Sequence, residues 1–248
     1  MSFYFAEIKD IRQDSITLSG AEHKHLTKVM RFKKGARVSV TDGAGMVYDC
    51  LITRAGARDT TLEIITSRRN VGEPSRQVTM AIGVSSGSKF DQSLQMCVEA
   101  GVSAFAPVLT AKTKVQFEEP EKIQRKLKRW REVVKSALKQ SERSVMPEVA
   151  PPQALEMFLL NTQSGYSSES GRVIADLHAG RAETERGLAL LADMQRPIII
   201  LVGPESGFAP EEVALATDNG FTPFQFGPSV LRAETAAIAL ASMSLLGK

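Results

Sequence analysis

Short apolar runs alternate with turn residues through the first part of the chain. The runs are rich in β-branched residues, and Asp42-Gly43 and Gly45 lie between two of them. Short strands separated by Asp-Gly predict hairpins in a small barrel. The strand-like runs are 15–18, 37–41, 46–52 and 61–65.

A polar segment at 70–76 ends this pattern, and beyond it apolar strand-like runs alternate with helix-like segments. Such alternation predicts an α/β domain with a parallel sheet covered on both faces. We therefore predict a first domain at 1–69, a linker at 70–76 and a second domain at 77–248. The apolar segment 234–246 at the end predicts a helix that is buried on several sides.

Two predicted helices carry clustered basic residues. In the segment 21–30, Leu26, Val29 and Met30 are predicted to face the protein and the basic residues to face solvent. The segment 121–143 has an apolar stripe at spacings of three to four, opposite many Lys and Arg. Clustered Lys and Arg can neutralise phosphates, so nucleic-acid binding is one prediction. A solvated basic face is the alternative.

The composition excludes several classes of protein. Among 248 residues with a net charge of +3, no apolar run reaches transmembrane length, and the N-terminus lacks a basic segment followed by an apolar one. These features favour a cytoplasmic protein that is not associated with a membrane. Cys50 and Cys97 lie far apart and are predicted to be reduced core residues. With only three histidines, no metal site is expected.

One candidate binding loop follows the apolar run 197–202. It reads Gly203-Pro204-Glu205-Ser206-Gly207. A buried strand that ends at Gly-Pro delivers a tight loop, and its glycines let a ligand approach the backbone closely. The loop holds one acid and no basic residue, which suits a cationic or neutral ligand better than phosphate. A turn without a ligand is the alternative for this loop by itself.

A second candidate loop, 226–231, leads into the last helix through Gly227-Pro228 and Leu231-Arg232-Ala233-Glu234-Thr235-Ala236. Together the two loops resemble the S-adenosylmethionine (AdoMet) binding signature of the SPOUT methyltransferases, specifically the RsmE family, which methylates N3 of a uridine in small-subunit ribosomal RNA. The chain departs from the family pattern at Ser206 and Phe226. Gln140-Ser141-Glu142-Arg143 with Pro147 matches a third motif of the family, which the resemblance places beside the active site. Weaker matches are His23-Lys24-His25-Leu26 with Met30-Arg31, and Glu99-Ala100-Gly101-Val102.

The resemblance implies a fold and partners as well. It implies a PUA-like β-barrel at 1–69 that grips RNA, followed at 77–248 by a SPOUT domain with a parallel sheet and a trefoil knot. It also implies a homodimer that acts on small-subunit ribosomal RNA, within an assembled particle, with AdoMet as cofactor and without a metal.

Site residues follow from the resemblance and from the basic clusters. The residues implied for cofactor binding are Leu177, Val202, Gly203, Pro204, Glu205, Gly207, Phe226, Gly227, Val230 and Leu231. Those implied for catalysis are Arg232 and Arg143, which would favour a uracil anion, and Glu205 and Glu234, which would orient donors or accept a proton. Those predicted to contact RNA are His23, Lys24, Lys28, Arg31, Lys89, Arg125 and Arg129.

Two alternatives remain open from the sequence. An RNA-binding ribosome assembly factor that kept the fold and lost catalysis is the first, and Ser206 is its main support. A nucleotide-dependent α/β enzyme is the weaker second, because neither Gly-x-Gly-x-x-Gly nor a P-loop Lys appears at a strand-to-helix turn.

Overall fold

The computed structural model describes residues 2–113, 119–167 and 169–246. Two compact units are present: Met1–Glu73 with Lys135–Met146, and Pro74–Val134 with Pro147–Lys248. The predicted continuous second domain, 77–248, is therefore interrupted. Residues 135–146 belong to the first unit because they bond within it, as where Phe3 N donates to Lys139 O at 2.9 Å.

The first unit contains the strands β1 Tyr4–Phe5, β2 Ser15–Ser19, β3 Arg37–Thr41, β4 Met46–Ala55 and β5 Asp59–Arg69. They form a five-stranded sheet in the order β1-β3-β4-β5-β2. Its pairs are antiparallel except β1 with β3. Alternate residues such as Val38 and Val40 point into one core with Ile16, Ile52 and Leu62, as the period of two predicts. The pairing path is open among the described residues, so the predicted barrel is a half-barrel.

The basic helix of this unit differs from the prediction. Helix α1 spans Gly20–Lys24 and continues as one π-helical turn, His25–Val29. A π turn advances the chain by more residues than an α turn, so the predicted α-helical face does not hold. Val29 is 67% exposed instead of buried, and His23 is 5% exposed instead of facing solvent.

The predicted linker 70–76 is ordered by contacts at both ends. The carboxylate of Glu73 accepts hydrogen bonds at 2.8 Å from the backbone N–H of Ser144 and of Val145 in the first unit. Arg76, in the second unit, is buried and donates to several backbone carbonyls. The polar composition predicts a linker, and the structure gives these polar groups fixed partners.

The second unit contains the strands β6 Val78–Gly83, β7 Ala104–Leu109, β8 Glu148–Val149, β9 Gln153–Ala154, β10 Gly171–Ala175, β11 Ile198–Val202 and β12 Thr222–Phe224. They form a sheet in the order β12-β10-β11-β6-β7-β8, with β9 also on β7. The pairs among these described strands run parallel. The central strand β11 is buried along its whole length, as the apolar run predicts.

Helices accompany these strands as the alternation predicts, with different limits. The helices are α2 Lys89–Ala100, α3 Pro120–Gln140, α4 Leu155–Gly165, α5 Arg181–Ala192, α6 Pro210–Asp218 and α7 Ala233–Leu245. Helix α3 begins in the second unit and ends in the first. No helix in the described part of the chain is long and apolar enough to cross a membrane.

Candidate functional site

One cavity of the second unit lies at the carboxyl ends of β10, β11 and β12. Open parallel sheets bind ligands at this edge, because the loops that follow the strands meet there. The loops after the three strands and the start of α7 form the walls. The lining residues are Ala175, Asp176, Leu177, Val202, Gly203, Pro204, Glu205, Ser206, Gly207, Phe224, Phe226, Ser229, Val230, Leu231, Ala233 and Ala236.

The loop after β11 needs glycine at specific positions. A Cβ on Gly203 would lie 3.1 Å from the carbonyl carbon of Gly207, and a Cβ on Gly83 would lie 2.4 Å from Cδ of Pro204. Gly207 has a φ of +67°, and its N–H donates to the Pro204 carbonyl at 2.8 Å. The backbone of this loop is therefore packed tightly on one side and borders the cavity on the other.

Ser206 fits this loop without strain. It lies outside the left-handed region of φ in which glycine is favoured, and its side chain is exposed. The positive φ belongs to the next residue, Gly207, which the chain retains. The replacement at Ser206 therefore leaves the backbone conformation of the loop accessible.

Two side chains fasten the loop from outside the cavity. Lys112 Nζ donates to the carbonyls of Ser206 at 3.2 Å and Phe208 at 2.9 Å. The buried carboxylate of Glu212 accepts from Ala111 N and Ala209 N, each at 2.7 Å. Charge-assisted bonds of this length are among the stronger ones in proteins, so the loop is fixed before any ligand arrives.

The charged side chains that line the cavity are acidic. Asp176 and Glu205 line it, and none of the described lining residues is Lys, Arg or His. A cationic ligand group gains Coulomb energy here, whereas a phosphate does not. The sequence interpretation missed Asp176 and Ser229. The position of Asp176 at the end of a parallel strand was the signal that could have found it.

The structure brings most predicted cofactor residues together. All of them except Gly227 line the cavity, and Gly227 lies between Phe226 and Ser229, which do. Gly227 has a φ of +42°, so it provides the turn between those neighbours. Phe226 also packs edge-on against Phe224 with ring centroids 5.0 Å apart, which fixes the wall on that side.

Of the predicted catalytic residues in this unit, only Glu205 lines the cavity. Arg232 is exposed and Glu234 half-buried, and they flank Ala233, which is a lining residue. Glu234 Oε2 is buried and has no hydrogen-bond partner among the described residues. A buried carboxylate oxygen without a donor is costly, so this atom is suited to accept a bond from an incoming group.

The comparisons with known proteins agree with this geometry. The model of the RNA methyltransferase domain matches residues 72–245, and that of the RNA methyltransferase PUA domain matches residues 18–65. The ribosomal RNA small subunit methyltransferase E of Synechocystis sp. is 32% identical over 242 residues, which cover 96% of this chain and 75% of the relative. The chain belongs to the RsmE family.

Other RsmE proteins match along the whole chain. The ribosomal RNA small subunit methyltransferase E of Mycobacterium tuberculosis is 28% identical and covers 99% of this chain and 92% of its own. The crystal structure of the Neisseria gonorrhoeae enzyme bound to S-adenosyl methionine has 27% identity, a TM-score of 0.86, and coverage of 100% of this chain and 98% of that one. The predicted family and the PUA-like and parallel-sheet folds are confirmed.

In this RsmE chain, Arg143 is buried in an ion pair, contrary to the catalytic role predicted for it. Its guanidinium lies in the first unit, is 3% exposed, and donates through Nη2 to Glu73 Oε2 at 2.8 Å. Breaking a buried ion pair leaves an uncompensated charge and costs several kcal/mol, about 3–5. We therefore replace the catalytic assignment of Arg143 with that of a residue that holds the segment around Glu73.

The predicted RNA contacts of the first unit divide by exposure. Lys24, Lys28 and Arg31 are exposed and available to a polyanion. His23 is buried, and its Nδ1 lies 2.8 Å from Thr60 Oγ1. A buried imidazole with a hydroxyl partner is a core residue, so the assignment of His23 to RNA contact is corrected.

The predicted RNA contacts of the second unit are all exposed. Arg125 lies on the surface of α3. Arg129 Nε donates to Asp91 Oδ2 at 2.9 Å, and Lys89 Nζ lies 3.5 Å from Glu205 Oε1. Exposed ion pairs contribute little stability, so both cations can exchange partners.

Proposed function

We propose that this RsmE chain transfers a methyl group from AdoMet to N3 of a uridine in small-subunit ribosomal RNA. The single observation that carries the proposal is that both motif loops meet in one cavity whose charged lining residues are Asp176 and Glu205. Acidic walls suit the positively charged sulfonium of AdoMet. The Neisseria gonorrhoeae relative, whose structure is described as bound to that molecule, supports the choice of cofactor.

When bound, AdoMet supplies a methyl group that is activated by the sulfonium. Backbone groups of Val202, Gly203 and Leu231 would hold its adenosine and methionine parts. Displacement at a methyl carbon requires the donor and the acceptor in line, so the rigid loop contributes chiefly by alignment. Arg232, exposed beside the cavity, would favour the uracil anion that forms when N3 loses its proton. Glu205 or Glu234 would orient donors or accept that proton.

The remaining parts of the proposal concern partners. Lys24, Lys28 and Arg31 of the PUA-like unit would bind RNA phosphates. The assembled small subunit as substrate, the homodimer, the trefoil knot, the absence of a metal and the cytoplasmic location stay predictions from the family resemblance. The inactive assembly factor has lost its main support, because Ser206 leaves the loop conformation intact.

Calorimetry with AdoMet, followed by methylation of unmodified small ribosomal subunits and mass spectrometry of the uridines, tests the proposal. A Gly203→Ala variant is expected to bind AdoMet about tenfold or more weakly, since each ~1.4 kcal/mol is tenfold in affinity and its Cβ would press on Gly207 at 3.1 Å. Gly165→Ala is the matched control, because no atom lies within 4 Å of that Cβ. Absence of AdoMet binding at millimolar concentration would refute the proposal.

A further inference from the structure

A second cavity borders the loop that follows β11. It has a volume of about 350 Å³ and shares Pro204, Glu205 and Ser206 with the cavity assigned to the cofactor. The two cavities therefore adjoin at those three residues. The other lining residues are Val84, Ser85, Ser86, Lys89 and Lys112.

The second cavity differs from the first in charge. Its charged lining residues are two lysines and one acid, Glu205, whereas the charged lining residues of the first cavity are both acids. Lys89 Nζ lies 3.5 Å from Glu205 Oε1, which is longer than the ~2.7–2.9 Å of a charge-assisted hydrogen bond. Lys89 is thus weakly held. Together with the hydroxyls of Ser85 and Ser86, it can bind an anion and polar groups beside that anion.

A third cavity of about 220 Å³ lies across the segment that carries these serines. Its polar lining comprises Ser85, the basic residues Arg125, Lys126 and Arg129 of α3, and Asp91, which is paired with Arg129. Ser85 contributes to both cavities. Positively charged side chains therefore line both cavities, from Lys89 beside the loop after β11 to Arg125 and Lys126 on α3. A groove that binds a phosphate backbone requires such a series of positive charges.

We propose that the 350 Å³ cavity is the acceptor subsite, which takes one nucleotide of single-stranded RNA with its phosphate on Lys89. The proposal rests on the function proposed above, because an acceptor must lie within about 3–3.5 Å of the methyl carbon and its subsite must therefore adjoin the cofactor cavity. The 350 Å³ cavity adjoins it at residues 204–206. Its size is at the lower end of the range of ~300–1,000 Å³ for small-molecule sites, which suits a single nucleotide.

Flanking nucleotides occupy the third cavity in this arrangement. Arg125 and Lys126 contact the next phosphate, and Ser85 lies at the boundary between the two sites. Glu205, which lines both cavities, loses Lys89 as a partner when the nucleotide enters and is then directed to the cationic cofactor. The same loop thereby contacts both reactants, and each occupies the cavity whose charge is opposite to its own.

The test measures binding of a fluorescent ten-nucleotide oligouridylate to the full chain and to Lys89→Gln at several salt concentrations. Loss of one phosphate contact is expected to weaken binding roughly three- to tenfold at low salt and to reduce the salt slope of log K by about 0.7. AdoMet affinity is not expected to fall, since Lys89 does not line the cofactor cavity and its removal leaves the charge of Glu205 to the cofactor. Lys89→Arg keeps the charge and is expected to restore most of the binding.

Arg181→Gln is the matched control. It also removes one positive charge from the second unit, but Arg181 lies on α5 and lines none of the three cavities. The proposal is overturned if Lys89→Gln binds the oligonucleotide with wild-type affinity and slope, or if Arg181→Gln loses as much. If the unmodified chain fails to bind AdoMet while the Lys89 effect persists, the proposed function fails and the nucleotide site stands.

Discussion

Arg76 offers the sharpest test of how the second unit holds its site. The side chain is 3% exposed, and its guanidinium donates to four backbone carbonyls: Arg196 O at 2.8 Å, Leu191 O at 2.6 Å, Leu190 O at 2.9 Å and Ser244 O at 2.9 Å. Three of these carbonyls belong to the last turns of α5 and α7, where no intrahelical donor remains. One arginine therefore caps two helices.

We expect Arg76→Met to lower the free energy of unfolding by about 3–5 kcal/mol. A hydrogen bond to a charged group contributes ~1.5–3 kcal/mol, and a carbonyl that is left buried without a donor costs ~1–3 kcal/mol. The four bonds do not add fully, because water reaches the more exposed carbonyls. Methionine keeps much of the apolar stem, so the change isolates the guanidinium. Burial lowers the pKa of Arg76, because desolvation disfavours the charged guanidinium.

Urea unfolding followed by the fluorescence of Trp130, the single tryptophan, measures the effect in the same unit. Trp130 is buried against Phe90 with ring centroids 4.7 Å apart, so its emission changes on unfolding. Arg196→Met is the control: its exposed guanidinium pairs with Asp193 at 3.3 Å and contributes less than ~1 kcal/mol. A loss below ~1 kcal/mol for Arg76→Met would refute the reasoning that these bonds stabilise the unit.

Two further predictions concern charge. Arg232→Ala is expected to slow methyl transfer about 10- to 100-fold, since a charge-assisted bond of ~1.5–3 kcal/mol disappears, while AdoMet affinity changes little. Single-turnover rates, AdoMet binding and the free energy of unfolding are measured on the same variant. A parallel fall in all three would make Arg232 a structural residue. Burial raises the pKa of Cys50 and of Cys97 to about 12, so both thiols are expected to resist a thiol reagent at pH 8 until urea unfolds the chain. The pKa of a cysteine thiol in the unfolded chain is about 8.5, so the contribution of the buried neutral thiols to stability is complete below that pH and is lost as the pH rises toward 12. Rapid labelling of the native protein at pH 8 would contradict the predicted protection.

Local patterns predicted the elements that form the site. The β-branched run before Gly203 forms the buried strand β11, and the terminal apolar segment forms α7. Both were predictable because a segment that is buried on several faces is apolar at nearly every position. The loop positions followed from Gly and Pro, whose backbone limits are intrinsic. The buried face predicted for the helix at 21–30 was wrong, because the π turn at His25–Val29 changes the number of residues per turn from which that face was assigned.

Long-range partners were not predictable from one sequence. Arg76 was assigned to a linker because its neighbours are polar, yet its carbonyl partners lie 114 to 168 residues away along the chain. Glu73 likewise pairs with Arg143 across 70 residues. A composition window covers neither distance. The cost of burying a charge explains both contacts after the fact, since a guanidinium or carboxylate leaves water only where fixed partners replace it.

Three arginines near the motifs illustrate what decides a role. Arg143 is paired with an acid in the first unit, Arg76 caps helix ends, and Arg232 is exposed beside the cavity, with no ion pair found for it in the described part of the chain. Their chemistry is identical, and motif position favoured Arg143 and Arg232 equally. Burial separates them: a guanidinium whose donors are already used cannot also bind a substrate without losing several kcal/mol. Of the two predicted catalytic arginines, Arg232 is therefore the one whose charge is still available to an RNA substrate.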